Sequence, residues 1–182
     1  KEEKEVFLAT YQIGGLTPLA ELKARSDREE MLAVLISAAD LEASARRMAF
    51  SLDPDNVYVN ANWQALVKHR DVYNTGFIYQ PGDFIKKYKA LIGHCLQSQY
   101  QYGDYINGGL SLMESDPFLK EVAALSSAAE IQACLGKARQ TLLENRRATE
   151  RVVDRKRYTT VNVVMWVCLA CLIVSAGLLG YM

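Results

Sequence analysis

Oxygen-bearing side chains gather in one short run. Phe50-Ser51-Leu52-Asp53-Pro54-Asp55-Asn56 carries a hydroxyl, two carboxylates and an amide, and Asp71 follows fifteen residues after Asn56. Asn and Asp oxygens can hold a hard cation such as Mg²⁺, but one amide and one carboxylate make a poor site. Sulfur and imidazole offer less. Cys168 and Cys171 form a C-x-x-C, a spacing that elsewhere serves zinc or redox chemistry. No second ligand pair accompanies it, and inside an apolar run cysteine behaves as a small apolar residue. His69 and His94 are the only histidines, 25 residues apart and without ligand spacing to a cysteine or carboxylate, so no metal is expected. His94 and Cys95 are adjacent, which on a helix points them roughly 100° apart and spoils a Cys–His catalytic pair. Four cysteines in all are too few for a disulfide-built secreted module.

The elements that position the Ser51–Asn56 run read as mostly helical. Glu5–Gln12 alternates like a strand and Gly14-Gly15 ends it. Thr17-Pro18 is expected to open a short helix, with Thr as N-cap. Ser26-x-x-Glu29 reads as a capping box for a longer helix, along which Met31, Leu35, Ala38, Leu41 and Ala45 recur at helical spacing. Asp53-Pro54-Asp55-Asn56 breaks the pattern. Val57–Val59 and Ala65–Val67 read as two short strands around an Asn60-Ala61-Asn62 turn. A helix over about Asp83–Gln99 buries Phe84, Tyr88, Leu91, Ile92 and Cys95. Asp116-Pro117 caps another short helix, and Ser127 onward is helical. Tyr88 suits a core, while Tyr100, Tyr102 and Tyr105 could serve a core or face a partner.

The 182 residues carry 21 basic and 21 acidic side chains, a net charge of +0. That balance argues against coating nucleic acid, which is driven by counterion release from phosphates. No charge follows Arg157, and Val161–Tyr181 is an apolar run whose 21 residues would span about 31 Å as helix, against about 30 Å of hydrocarbon. A single transmembrane helix over residues 159–182 is therefore expected. Arg146, Arg147, Arg151, Arg155, Lys156 and Arg157 flank it on one side, which sets the preceding chain as cytoplasmic and Met182 as outside. The same basic residues suit anionic headgroups of the bilayer. Ala176 and Gly180, four apart, form a small-residue face for helix pairing. Lys1 is not Met, and the chain stops where the membrane would stop. A tail-anchored protein or, better, an incomplete chain is expected.

The order of strand, Gly turn, short helix, long helix, Pro-Asx-Asn loop and two small strands resembles a protein kinase from its hinge through its catalytic loop. Phe50–Val59 resembles the kinase run H-R-D-L-K-P-E-N-I-L-V. Aligned on Pro54 and Asn56, it has Ser51 where the catalytic Asp would be and Asp53 where the catalytic-loop Lys would be. Only Asn56 matches a Mg²⁺ ligand, and Asp71-Val72-Tyr73 could stand for D-F-G. Serine holds no negative charge at pH 7 to accept the substrate proton, and Asp53 sets a negative charge near phosphates. No Gly-rich phosphate loop or ATP-anchoring Lys precedes the hinge-like strand. The alternatives are a helical domain with a chance turn, or a membrane-tethered atypical kinase or nucleotide sensor.

Longer stretches resemble the YukC/EssB family. They are Phe50–Val59, Arg70-Asp71-Val72-Tyr73, Tyr88-Lys89-Ala90-Leu91-Ile92-Gly93 and Asp104-Tyr105-Ile106-Asn107-Gly108-Gly109, followed by a basic helix and one span. Their order carries the resemblance, over roughly Tyr11–Tyr181. It implies a pseudokinase subunit of the type VII secretion system in the plasma membrane of Gram-positive bacteria, a non-catalytic scaffold without cofactor. It implies homodimers and contacts with the system's membrane ATPase and other membrane subunits. It also implies that the pseudokinase start and an outer domain are missing. The expected fold class is thus mostly α, with a degenerate kinase-like domain (a pseudokinase C-lobe) over 1–126. A basic juxtamembrane helix over 127–158 and the transmembrane helix over 159–182 follow.

Overall fold

The computed structural model describes residues 14–72 and 79–179, and their side chains except at 72, 110, 152–157 and 167–179. The expected strand Glu5–Gln12 lies outside the described residues, as does Gly180. Two compact units divide after Arg139.

In the first unit, Thr17–Pro18 (β1) leads directly into Leu19–Arg25 (α1). Thr17 is not the N-cap expected of it. Pro18 stands there, extended, and Thr17 pairs with Val59 instead. Arg28–Ala38 (α2) starts one residue later than expected, from a capping box of Asp27 and Glu30 in which each side chain accepts from the other's backbone N–H. Such reciprocal capping satisfies two of the orphan donors at a helix start. The long helix expected through Ala45 breaks at Ala39-Asp40 and resumes as Leu41–Ala45 (α3).

Met48–Ala49 (β2), Val57–Val59 (β3), Ala65–Val67 (β4) and Asp71–Val72 (β5) form two small antiparallel sheets, ordered β1-β3-β4 and β2-β5. The β3–β4 hairpin is the one read from the sequence. Its turn holds Trp63 at φ 60°, with the Trp63 carbonyl accepting from the Ser37 hydroxyl.

Pro81–Leu96 (α4) is the central helix, with Phe84, Tyr88, Leu91 and Ile92 buried as expected. Tyr102–Gly108 (α5), a 3₁₀ turn at Leu110–Met113 and Pro117–Ala124 (α6) follow. Asp116 caps α6 by accepting from Phe118 and Leu119. Side chains fully out of water include Leu32, Leu35, Leu52, Tyr88, Leu91 and Leu119. Each contributes about 1.5–3 kcal/mol by burial, which offsets the conformational entropy lost in ordering the chain. Lys89, also buried in α4, donates to the Ala123 carbonyl at 2.7 Å. A cation there complements the negative end of α6, and burial lowers its pKa from the ordinary lysine value.

Ala128–Leu179 (α7) begins from Ser127, whose hydroxyl accepts from the Glu130 N–H while Glu130 accepts from the N–H groups of Ser126 and Ser127. The expectation of a single transmembrane helix is corrected here. Among the described residues, no helix is long and apolar enough to cross a membrane. The physical reason is the make-up of α7. Its described side chains from 128 to 151 include Glu130, Lys137, Arg139, Glu144, Arg146 and Arg147. The described apolar stretch, 158–166, spans only about 14 Å, half of a hydrocarbon core of about 30 Å. Within it Tyr158, Val161, Val163, Val164, Met165 and Trp166 are exposed. The mostly helical class itself holds.

Candidate functional site

The loop between β2 and β3 holds Ser51, Asp53 and Asn56. Leu52 and Pro54 are buried and anchor it, while Ser51 and Asp55 are exposed and Asp53 and Asn56 half-buried. The Ser51 hydroxyl accepts from the Asp53 N–H at 3.0 Å, and Asp53 Oδ1 accepts from the Asp55 N–H at 3.0 Å. These are the local turns that short polar side chains favour.

Asn56 is committed to the backbone. Its Nδ2 donates to the carbonyls of Ser51 at 2.8 Å and His69 at 3.1 Å, and its Oδ1 accepts from the His69 N–H at 2.6 Å. The Lys68 N–H adds a bond to the Asn56 carbonyl. Both amide donors and one acceptor lone pair are therefore used in clasping this loop to the segment after β4. The side chain that best matched a Mg²⁺ ligand acts as a structural clasp.

Asp71 sits opposite Ala49 in the β2–β5 pair, two residues from Ser51 in that strand's continuation. Among the described residues, no group of three or more His, Cys, Asp or Glu side chains could hold a metal. Beside the loop is a cavity of about 60 Å³ lined by Ala45, Met48, Phe50, Leu52, Tyr79 and Phe84. Ligand pockets run to about 300–1,000 Å³, so this one has no room for a nucleotide. A larger, open groove of about 470 Å³ lies elsewhere, between α2–α3 and the start of α7.

One buried group, His94, adjoins the loop, and sequence reasoning passed over its role. His94 is 8% exposed; its Nε2 lies 3.4 Å from Lys23 Nζ and its Nδ1 3.3 Å from the Tyr100 carbonyl oxygen. Lysine can only donate and a carbonyl can only accept, so the imidazole is neutral with its proton on Nδ1. Burial lowers its pKa below the ordinary histidine value, as does Lys23. The Tyr100 carbonyl, Asp53 and Asp55 oppose the shift without reversing it. Lys23 and His94 are 71 residues apart, and no local pattern joins them.

A stability consequence follows. With the folded pKa depressed, the unfolded chain binds the proton more readily. The His94 contribution is fully present above the unfolded pKa of about 6.5 and is lost as pH falls below it toward the folded value. Urea midpoints at pH 7.5 and 5.0 should show a loss on acidification that shrinks in His94→Gln. An unchanged acid loss in that variant would remove His94 as its source.

Tyr102 and Tyr105 are buried rather than facing a partner. Tyr105 donates to Gln97 Oε1, meets Tyr100 edge-on at 5.9 Å, and lies against Gly93 of α4. Of the basic residues, Arg146, Arg147 and Arg151 are exposed on α7 in the second unit. The side chains of Arg155, Lys156, Arg157, Ala176, Cys168 and Cys171 lie outside the described residues.

A family model described as WXG100 protein secretion system (Wss), protein YukC, matches residues 1–182. Among solved structures, the chain is similar to a Staphylococcus aureus EssB cytoplasmic fragment, with a TM-score of 0.59 and 24% identity, over 68% of this chain and 72% of that one. It is also similar to a Geobacillus thermodenitrificans EssB cytoplasmic fragment, with a TM-score of 0.63 and 17% identity, over 75% of this chain and 66% of that one. At such identities the likeness shows the fold alone. No curated protein matches the sequence.

Proposed function

Because the chain belongs to the YukC family and is thereby a component of the WXG100 (type VII) secretion system, we propose that it serves there as a non-catalytic scaffold. It acts by protein contacts at the bacterial plasma membrane, as a homodimer that meets the membrane ATPase and other membrane subunits of the machine. Arg146, Arg147 and Arg151, exposed on α7, suit anionic headgroups at that surface. The loop over 50–56 is read as a degenerate kinase loop put to structural use.

The observation that carries the non-catalytic reading is the Asn56 amide, spent on the backbone of Ser51 and His69. Ser51 supplies no base, and Asp53 sets an anion where a phosphate would need a cation. The rival reading, an atypical kinase or nucleotide sensor, needs Asn56 or Asp71 free to hold Mg²⁺.

Two measurements test the proposal. Calorimetry of the full chain with Mg-ATP should give no saturable heat, and micromolar binding would revive the rival. Tagged and untagged copies expressed together should recover each other and the ATPase from native membranes in mild detergent. Recovery of neither would end the scaffold reading.

A further inference from the structure

Lys23 of α1 and His94 of α4 meet in a way that holds only while the imidazole is neutral. His94 Nε2 lies 3.4 Å from Lys23 Nζ, and its Nδ1 3.3 Å from the Tyr100 carbonyl oxygen in the connection to α5. Among the described residues, Lys23 has no carboxylate partner, so the imidazole is the acceptor for its ammonium. The charges that face the ring are Lys23 from α1 and Asp53 and Asp55 from the loop over 50–56, while the α4–α5 connection offers a carbonyl.

A second proton makes the ring a donor at both nitrogens. Nε2–H would then point at an ammonium, with two positive charges 3.4 Å apart at a site largely out of water. One of them must move. His94 is 8% exposed, is fixed in α4, and keeps its Nδ1–H on the Tyr100 carbonyl in either state. Lys23 is half-buried in the last turn of α1, on a flexible stem that can carry its charge into water. The lysine is therefore the part that leaves. Leu19 and Leu22 stay buried and hold the rest of α1, so the last turn alone is freed.

We propose that the Lys23–His94 contact is a proton-operated latch, closed between α1 and α4 while His94 is neutral and opened at the last turn of α1 when His94 takes up a proton. The acid loss of stability described above has the same proton as its source, and the latch places the first structural response in one helix turn. Burial and Lys23 hold the His94 pKa below the ordinary histidine value, so the latch is closed at neutral pH. Asp53 and Asp55 attract the imidazolium and so favour opening on acidification.

The test is amide hydrogen exchange of the full chain, read by NMR from pH 7.5 to 4.5, with the ¹⁵N-labelled His94 ring followed in the same samples. Protection in the last turn of α1, corrected for the intrinsic pH dependence of exchange, should fall about fivefold, the scale of one hydrogen bond. Its midpoint should coincide with that of the His94 ring, and the amides of α4 should keep their protection. Lys23→Met keeps the stem and removes the charge. In that variant the His94 midpoint should rise, and α1 protection should no longer follow it. His94→Gln, whose amide can still accept from Lys23 and donate to Tyr100, should keep α1 protected throughout. Constant α1 protection while His94 titrates overturns the latch. So does an equal loss in α4, which would be acid unfolding of the whole unit, or the same pH-dependent loss in His94→Gln. A His94 ring that takes up no proton by pH 4.5 overturns it as well.

Discussion

Replacing Gly93 by alanine lowers the stability of the first unit by about 2 kcal/mol, within the usual 1–3 kcal/mol for overpacking a filled core. A Cβ at position 93 would sit 2.6 Å from Tyr105 Cε1 and 2.9 Å from two more ring carbons. Carbon atoms rest comfortably at about 3.5–4.0 Å, so the ring must retreat by roughly 1 Å. It has little room, since Tyr105 is 3% exposed, holds Gln97 through its hydroxyl and abuts Tyr100 edge-on. Alanine regains at most about 1 kcal/mol of helix propensity, which leaves the clash dominant. Thermal unfolding should show a fall of about 4–8 °C for a domain of this size. Tyr105→Leu, destabilising alone, should remove most of the further cost of Gly93→Ala when the two are combined. A Gly93→Ala protein as stable as the parent would mean that the ring swings aside freely and that α4 and α5 are not locked by this contact.

Asn56→Asp is expected to cost about 2 kcal/mol at pH 7, more than the roughly 1 kcal/mol of Asn56→Ala. Alanine deletes three hydrogen bonds in a half-buried place that water can reach. Aspartate keeps the shape but turns a carboxylate oxygen toward the carbonyls of Ser51 and His69, where the native amide donates to both. Acceptor then faces acceptor. That crowding raises the new carboxyl's folded pKa above its unfolded value. Its penalty is therefore present at pH 7 and relieved as pH falls and the group regains a proton to donate. Urea titrations at pH 7 and 4.5 on the three proteins check both the order and the pH trend, each referenced to the parent. A Mg²⁺-ligand role demands the opposite, because aspartate is the better Mg²⁺ ligand. Parent-like stability together with new Mg²⁺ affinity in Asn56→Asp would restore the kinase-like reading.

What could be read in advance was whatever depends on neighbours in sequence. The β3–β4 hairpin, the apolar face of α4 and the Asp116 cap all follow from local spacing and appear where expected. The breaks come from distant partners. The helix expected through Ala45 stops at Ala38, and Asp40 in the break accepts a bond from Gln132, 92 residues away. β2 and β5 are two residues each, paired across more than twenty positions, and too short to leave a periodic mark. Tyr102–Gly108 was passed over because its apolar surface is supplied by tyrosines between glycines, without the usual aliphatic rhythm. At the loop, the sequence singled out Ser51, Asp53 and Asn56, but side-chain type alone gives no hint that Asn56 would be consumed by the His69 backbone. The buried hydroxyl of Tyr102 and the Lys23–His94 contact depend on packing among segments far apart in the chain.

The bonds between α2 and α7 also set an order of events during synthesis. Gln132 donates to the Ile36 carbonyl and Arg139 to Glu29, across separations of 96 and 110 residues. A ribosome adding roughly 5–20 residues per second needs about 5–20 s to make the chain that divides them. For that interval α2 exists without these partners. Contacts so distant along the chain also slow the folding that follows, because the connecting loop must be closed before they stabilise anything. The bonds that tie α2 to α7 are therefore among the last to form.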